Sequence, residues 1–334
     1  MIYLNLLVML IVILVAAEIF TNALEHLGQK LNISEGVTGS IFAAVGTAMP
    51  EASIPLIAIL GTHSSIDSSH EIGIGAILGA PLMLSTIAMA IMALSVVKKR
   101  GVNGMIIPEK TGAVRDLNYF LIAYLIAITA LFIPHSNEPI RFLLGFGMAS
   151  IYFIYILQTV KASSSLVKDG HQTKAEHPLM LTRLGFVNNV FIIIVQVILG
   201  LLILFFGAKG FIKYIDEVAA LIGIPVIILS ILIIPIATEL PEKVNSVLWI
   251  RRGKDTMAFG NISGAMVFQG TLLPAIGIIL TPWESRPEIW TVLLVTIIST
   301  VWIRKKVTDE SLQVWHLILC IIPYLIYLII VFGK

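Results

Sequence analysis

Gly46-Thr47-Ala48-Met49-Pro50-Glu51 sets a proline and a carboxylate inside an otherwise apolar run covering 37–60, long enough to cross a bilayer, which takes roughly 20 residues. A carboxylate at that depth costs at least about 2.5 kcal/mol on insertion, so it marks an ion path or a paired site. Pro50 removes a backbone donor and crowds the carbonyl one turn earlier, which leaves main-chain oxygens between Ala43 and Thr47 unpaired. Free carbonyls beside a carboxylate can hold a cation. The stretch occurs twice: Ala237-Thr238-Glu239-Leu240-Pro241-Glu242 repeats it 191 positions later.

Composition limits what the rest can be. With 57% hydrophobic and 13% charged residues among 334, the chain is far more apolar than soluble domains, which are about 45–50% apolar and about 25% charged. It reads as an integral membrane protein with the lipid bilayer as its surroundings. The net charge of +2 is too small for a nucleic-acid partner, and the one cysteine, Cys320, admits no intrachain disulfide. The apolar amino terminus lacks a basic leader region and is read as a retained helix.

Hydropathy predicts about ten membrane segments, over 2–24, 37–60, 72–97, 117–133, 140–160, 184–211, 224–250, 257–280, 289–303 and 312–332. Alternate connections are basic: Lys98 to Arg100 with Lys110 and Arg115; Lys161 to Arg183; Arg251, Arg252 and Lys254; Arg304 to Lys306. The connections around His63 to Glu71, Pro134 to Glu138 and Pro282 to Glu288 are not. By the positive-inside rule both termini lie outside a cell membrane crossed many times.

The repeat extends beyond the motif. Glu18 pairs with Lys209 and Glu25 with Asp216 at the offset of 191, and 75–80 pairs with 260–265 at 185. Five segments per half, an odd number, predict an all-α fold of two inverted five-helix repeats: 1–160, a cytoplasmic linker over 161–183, and 184–334. Secondary transporters use this plan, with the binding site between the repeats near the midplane.

Thr47 and Glu51, like Thr238 and Glu242, stand four residues apart and share a helix face. Two glutamates and several hard oxygens suit a divalent alkaline-earth cation, calcium first, better than a soft metal. Asn261 and Gln269 offer neutral oxygens from the helix after the second motif. Glu239, opposite Ala48 in the repeat, is a third acid and a candidate proton carrier. Gly73, Gly75 and Gly79, like Gly260 and Gly264, are expected to bring helices into close contact. Lys243, about 100° around the helix from Glu242, reads as an interfacial anchor, and Glu18 and Lys209 as snorkelling helix-end charges. No Ser/His or His-rich constellation for an intramembrane hydrolase is present in the segments, so an enzyme is not expected.

These residues resemble the calcium/cation antiporter superfamily, typified by sodium/calcium exchangers, whose two repeats carry G-T-S-x-P-E followed by a G-N-x-x-G-S-N-like helix. The resemblance covers nearly the whole chain. It implies a ten-helix inverted fold that needs no cofactor, with the transported cation, calcium, held by Glu51 and Glu242 and by main-chain or hydroxyl oxygens of Thr47 and Thr238. The family's motif serine is replaced by Ala48 and Glu239, and its later run reads Gly79-Ala80-Pro81-Leu82-Met83-Leu84 and Gly264-Ala265-Met266-Val267-Phe268-Gln269. Sodium ligands are therefore depleted, which turns the expected counter-ion toward protons and/or fewer sodium ions. An antiporter of another divalent cation and a passive cation channel are the rival expectations; oligomeric state is left open.

Overall fold

The computed structural model describes residues 2–48, 52, 66–175, 177–222 and 239–332. Met49, Pro50 and Glu51, His63 and the stretch from Gly223 to Thr238 lie outside the described residues. Within them the chain is helical, without strands. Six of its helices are long and apolar enough to cross a membrane.

Helix α1 (Ile2–Leu31) stops where the sequence allows a left-handed residue. Asn32 takes φ 53°, its N–H bonds Gln29 O and that of Ile33 bonds Gly28 O, a Schellman closure in which Asn stands for the usual glycine. Ser34 then caps α2 by accepting from Val37 N. Helix α2 spans 35–47 and is π-helical over Thr38–Ala43. Such wide turns gather at functional sites. Helix α3 spans 66–94 and has its own π segment at Leu84–Ala88. It begins six residues before the expected 72, so His70 belongs to its first turns.

Helices α4 (Lys110–Ala130) and α5 (Glu138–Lys168) follow. Glu109 caps α4 by accepting from Thr111 N at 2.6 Å and Gly112 N at 2.7 Å. Helix α5 runs to Lys168, eight residues into the expected linker. The second half contributes α6 (Val190–Ile222), α7 (Leu240–Arg251), α8 (Asp255–Leu280), α9 (Pro287–Thr308) and, after the turn Val314–Ile318, α10 (Ile321–Phe332).

Helices α3 and α8 are the most enclosed of the long apolar helices, while α1, α5 and α6 present apolar side chains outward. On α5 the outward face carries Phe142, Phe146, Phe153 and Leu157. A helix apolar around most of its circumference belongs either in a core or in lipid, and here both cases occur in one bundle.

The α2–α8 crossing is set by missing side chains. A Cβ on Gly264 would come 2.1 Å from Ser40 O, and one on Gly39 2.7 Å from Met257 O. This is the close backbone approach expected of Gly260 and Gly264. It does not extend to Gly75 and Gly79, around which no described atom lies within 4 Å of a built Cβ.

Candidate functional site

Helix α7 starts inside the bundle. Glu239 is its N-cap residue, Pro241 sits in the first turn, where its missing N–H costs nothing, and Glu242 follows. Both glutamates are completely buried. Asn261, one helix away on α8, donates to Glu242 O and Ser246 Oγ, each at 3.0 Å, and ties the two helices together.

The acceptors left over define the site. Among the described residues neither carboxylate oxygen of Glu242 has a hydrogen-bond partner, nor do either amide atom of Asn245 and Gln269, nor Asn261 Oδ1. Asn245 and Gln269 are fully buried. Leaving a buried polar group unpaired costs about 1–3 kcal/mol, more for a charge, so the Glu242, Asn245 and Asn261 atoms at the α7–α8 junction, held there by the Asn261 bond to Glu242 O, mean that something else completes them. Oxygen-rich and without thiols, the set suits a hard cation. Among the described residues no three His, Cys, Asp or Glu side chains cluster as a transition metal would require.

Thr47 ends α2 beside Glu242. Its hydroxyl donates to Ala43 O at 2.9 Å, so its one proton is committed along its own helix and its oxygen keeps a lone pair for a ligand. The crevice next to it, about 220 Å³ between α2, α6 and α7, is lined by Gly46, Leu201, Leu204, Phe205 and Pro241. That wall is apolar and offers an ion no path. Of the expected site residues, the bundle thus brings Thr47, Glu239, Glu242 and Gln269 into its buried interior, whereas Glu51 and Thr238 lie outside the described residues.

Lys243 corrects one expectation. Lys243 is only 3% exposed and its ammonium lies 3.3 Å from Glu239 Oε2. It is no interfacial anchor. Side chains on a helix lean toward its N-terminus, so Lys243 reaches back to Glu239 instead of forward to the basic rim at Arg251.

Four polar clusters outside the site were not expected from the sequence. Asp116, one residue before the expected segment 117–133, is buried and accepts from Ser40 Oγ at 2.7 Å, Ser263 Oγ at 2.7 Å and Tyr155 Oη at 3.1 Å, joining α2, α8 and α5 to α4. Glu25 on α1 meets Lys254 at 2.9 Å, Arg252 at 3.6 Å and Trp249 Nε1 at 3.1 Å. Glu18, instead of snorkelling alone, pairs with Arg252. Arg141 donates to Ile278 O and Thr281 O at the C-terminal end of α8, where a cation complements the helix dipole. At the rim, Arg100 binds both oxygens of Asp255 at 2.6 and 2.7 Å, and that hydrogen-bonded pairing raises the guanidinium above its ordinary pKa.

A helical bundle that passes the membrane repeatedly and keeps an unpaired carboxylate among buried oxygens is a membrane cation transporter. The sequence matches the family described as sodium/calcium exchanger protein over residues 1–161 and 192–333. The chain belongs to that family and is a cation antiporter, not an enzyme. It is 24% identical over 283 residues to the putative antiporter CaxA of Alkalimonas amylolytica, covering 83% of this chain and 80% of that one. It is 22% identical to the inner membrane protein YrbG of Escherichia coli, covering 84% and 81%. In fold it is similar to the sodium-calcium exchanger NCX_Mj soaked with Na+ and Sr2+, with a TM-score of 0.75 and 19% identity, covering 98% of this chain and 99% of that one.

Proposed function

We propose that this protein exchanges calcium for protons and/or sodium by alternating access, with the cation held near the membrane midplane by Glu51 and Glu242. Thr47, Thr238 and Gln269 add oxygens. The observation that carries the reading is the Glu242 carboxylate, fully buried and without a hydrogen-bond partner among the described residues, one helical turn from the equally unpartnered Asn245. Counter-ions bind the same carboxylates once calcium has left, so the two occupancies exclude each other.

The architecture proposed is two inverted five-helix repeats, 1–160 and 184–334, joined through 161–183, with both termini outside. One fact supports it: the chain resembles NCX_Mj along 98% of its length. That exchanger's soak with Na+ and Sr2+ supports a divalent cargo, as CaxA's description as a putative antiporter supports exchange.

Purified protein in liposomes is expected to take up calcium uphill under an imposed proton or sodium gradient. Glu51→Gln and Glu242→Gln should each abolish that flux while leaving a monodisperse, folded protein, because the amide keeps the shape and removes the charge that offsets the ion's desolvation. Near wild-type exchange by either variant would overturn the assignment, and calcium flux that only runs downhill would indicate a channel.

A further inference from the structure

The buried ion pair on α7 carries a second inference, which rests on the calcium reading. We propose that Glu239 forms a monovalent-cation position that the chain fills with its own ammonium, Lys243, so that the divalent site is built around a tethered cation. Three observations bear on it. Glu239 is wholly buried and Lys243 nearly so, at 0% and 3% exposure. They stand one helical turn apart with the ammonium 3.3 Å from Oε2. Glu242, on the same first turn, has no hydrogen-bond partner among the described residues.

An ammonium this deep needs a carboxylate, because an unpaired lysine within the bilayer is costly. The nearest basic rim residue on its helix, Arg251, lies eight residues on, about 12 Å along the axis. Lys243 instead points back into the site. Neither glutamate has a hydrogen-bond partner among the described residues, but Glu239 has the ammonium in ion-pair contact, which makes it the poorer ligand for a mobile ion and leaves Glu242 as the acid of this helix turn without an ion pair among the described residues. A monovalent cation bound to Glu239 would meet the same chemistry, a single positive charge against one buried carboxylate. The lysine makes that cation permanent and non-exchangeable, and thereby sets how many mobile charges accompany calcium.

Charge reasoning gives opposite signs to the two single substitutions. Glu239→Gln leaves an uncompensated ammonium next to the divalent ion and should weaken calcium binding at least about tenfold. Lys243→Gln frees a carboxylate and should tighten calcium binding when choline is the only other cation; added sodium, now able to occupy Glu239, should affect this variant more than wild type. The double variant E239Q/K243Q restores the local net charge and should return to within about threefold of wild type, which also guards against a single variant that folds poorly. The measurement is equilibrium binding of radioactive calcium to the full-length protein in nanodiscs at fixed pH.

Shifts in the same direction at both positions, no shift at either, or a double variant as weak as Glu239→Gln would overturn the tethered cation. If wild type binds calcium and Glu242→Gln does not, such a result removes this inference and leaves the calcium site standing. If wild type binds no calcium, the underlying reading fails and this one with it.

Discussion

Gln269 shows what the proposed transport site would cost the protein that carries it. Its amide is wholly buried, and among the described residues neither polar atom has a partner, a debt of about 1–3 kcal/mol in the empty protein. Gln269→Leu keeps the volume and removes the debt. It should raise the melting temperature of calcium-free protein by a few degrees, the shift expected of about 1 kcal/mol or more in a chain of this size. The same variant should lose much of the calcium-induced stabilisation that wild type shows, since ligand binding stabilises only in proportion to affinity. A thermal-shift series with and without calcium checks both halves, and a Gln269→Leu protein less stable than wild type without calcium would assign the amide to packing. Asn245, three residues beyond Glu242 on one face of α7, is the member of this set most easily overlooked in the sequence, because it lies outside the repeated motif.

At the scale of elements, the α2–α8 crossing and the clamp at Asp116 hold the site-bearing helices at their spacing. Gly264→Ala puts a methyl where Ser40 O already stands, so it should destabilise by about 1–3 kcal/mol or more, the usual range for overpacking. Gly75→Ala, with no described atom within 4 Å of the new carbon, should be nearly silent. Comparing their melting temperatures separates a packed glycine from one merely tolerated. Asp116→Ala removes the acceptor for three hydroxyls on three helices, leaving Ser263 and Tyr155 only their 3.5 Å contacts to Gly260 O and Ser40 O, at about 1 kcal/mol or more for each donor left unpaired. Asp116→Asn retains one acceptor oxygen and should fall in between. Loss of stability without an equal loss of calcium affinity per folded molecule is the expected signature of a brace outside the cation site.

At the scale of the whole molecule, the basic connections and the inverted symmetry predict which ends face the cytoplasm. Single cysteines at Lys99, Lys168, Arg252 and Lys305 should react with an impermeant reagent only from the cytoplasmic side, and cysteines at His70 and Arg286 only from outside. A mixed pattern would mean an even number of crossings in one half and would make the two motifs run parallel. Arg252 also takes part in the pairs with Glu18 and Glu25 that tie α1 to the α7–α8 turn, so its label is best read in a background where Lys254 still holds Glu25.

The sequence by itself determined the membrane class and the family resemblance and nominated an acidic centre for the proposed site, because each is written in local terms: apolar runs of spanning length, a duplicated motif, and acids where lipid forbids them. Helix ends were less legible: the segment expected over 2–24 runs on to Leu31, where Asn32 and Ser34 close it for backbone reasons that hydropathy does not register. What only the tertiary structure decided concerns partners distant along the chain. Lys243 read as an anchor because its neighbour Glu242 lies about 100° away around the helix; the back-leaning side chain and the burial of α7 turned it onto Glu239. Asp116 stands one residue before an expected segment, and nothing near it in sequence reveals that Ser40, Tyr155 and Ser263 converge on it from three other helices. Gly264 and Gly79 have the same residue type and corresponding positions in the repeat, yet only Gly264 has a neighbour's backbone pressed against it among the described residues. Composition and spacing specify which groups a helix carries; which of them find each other depends on how the helices cross.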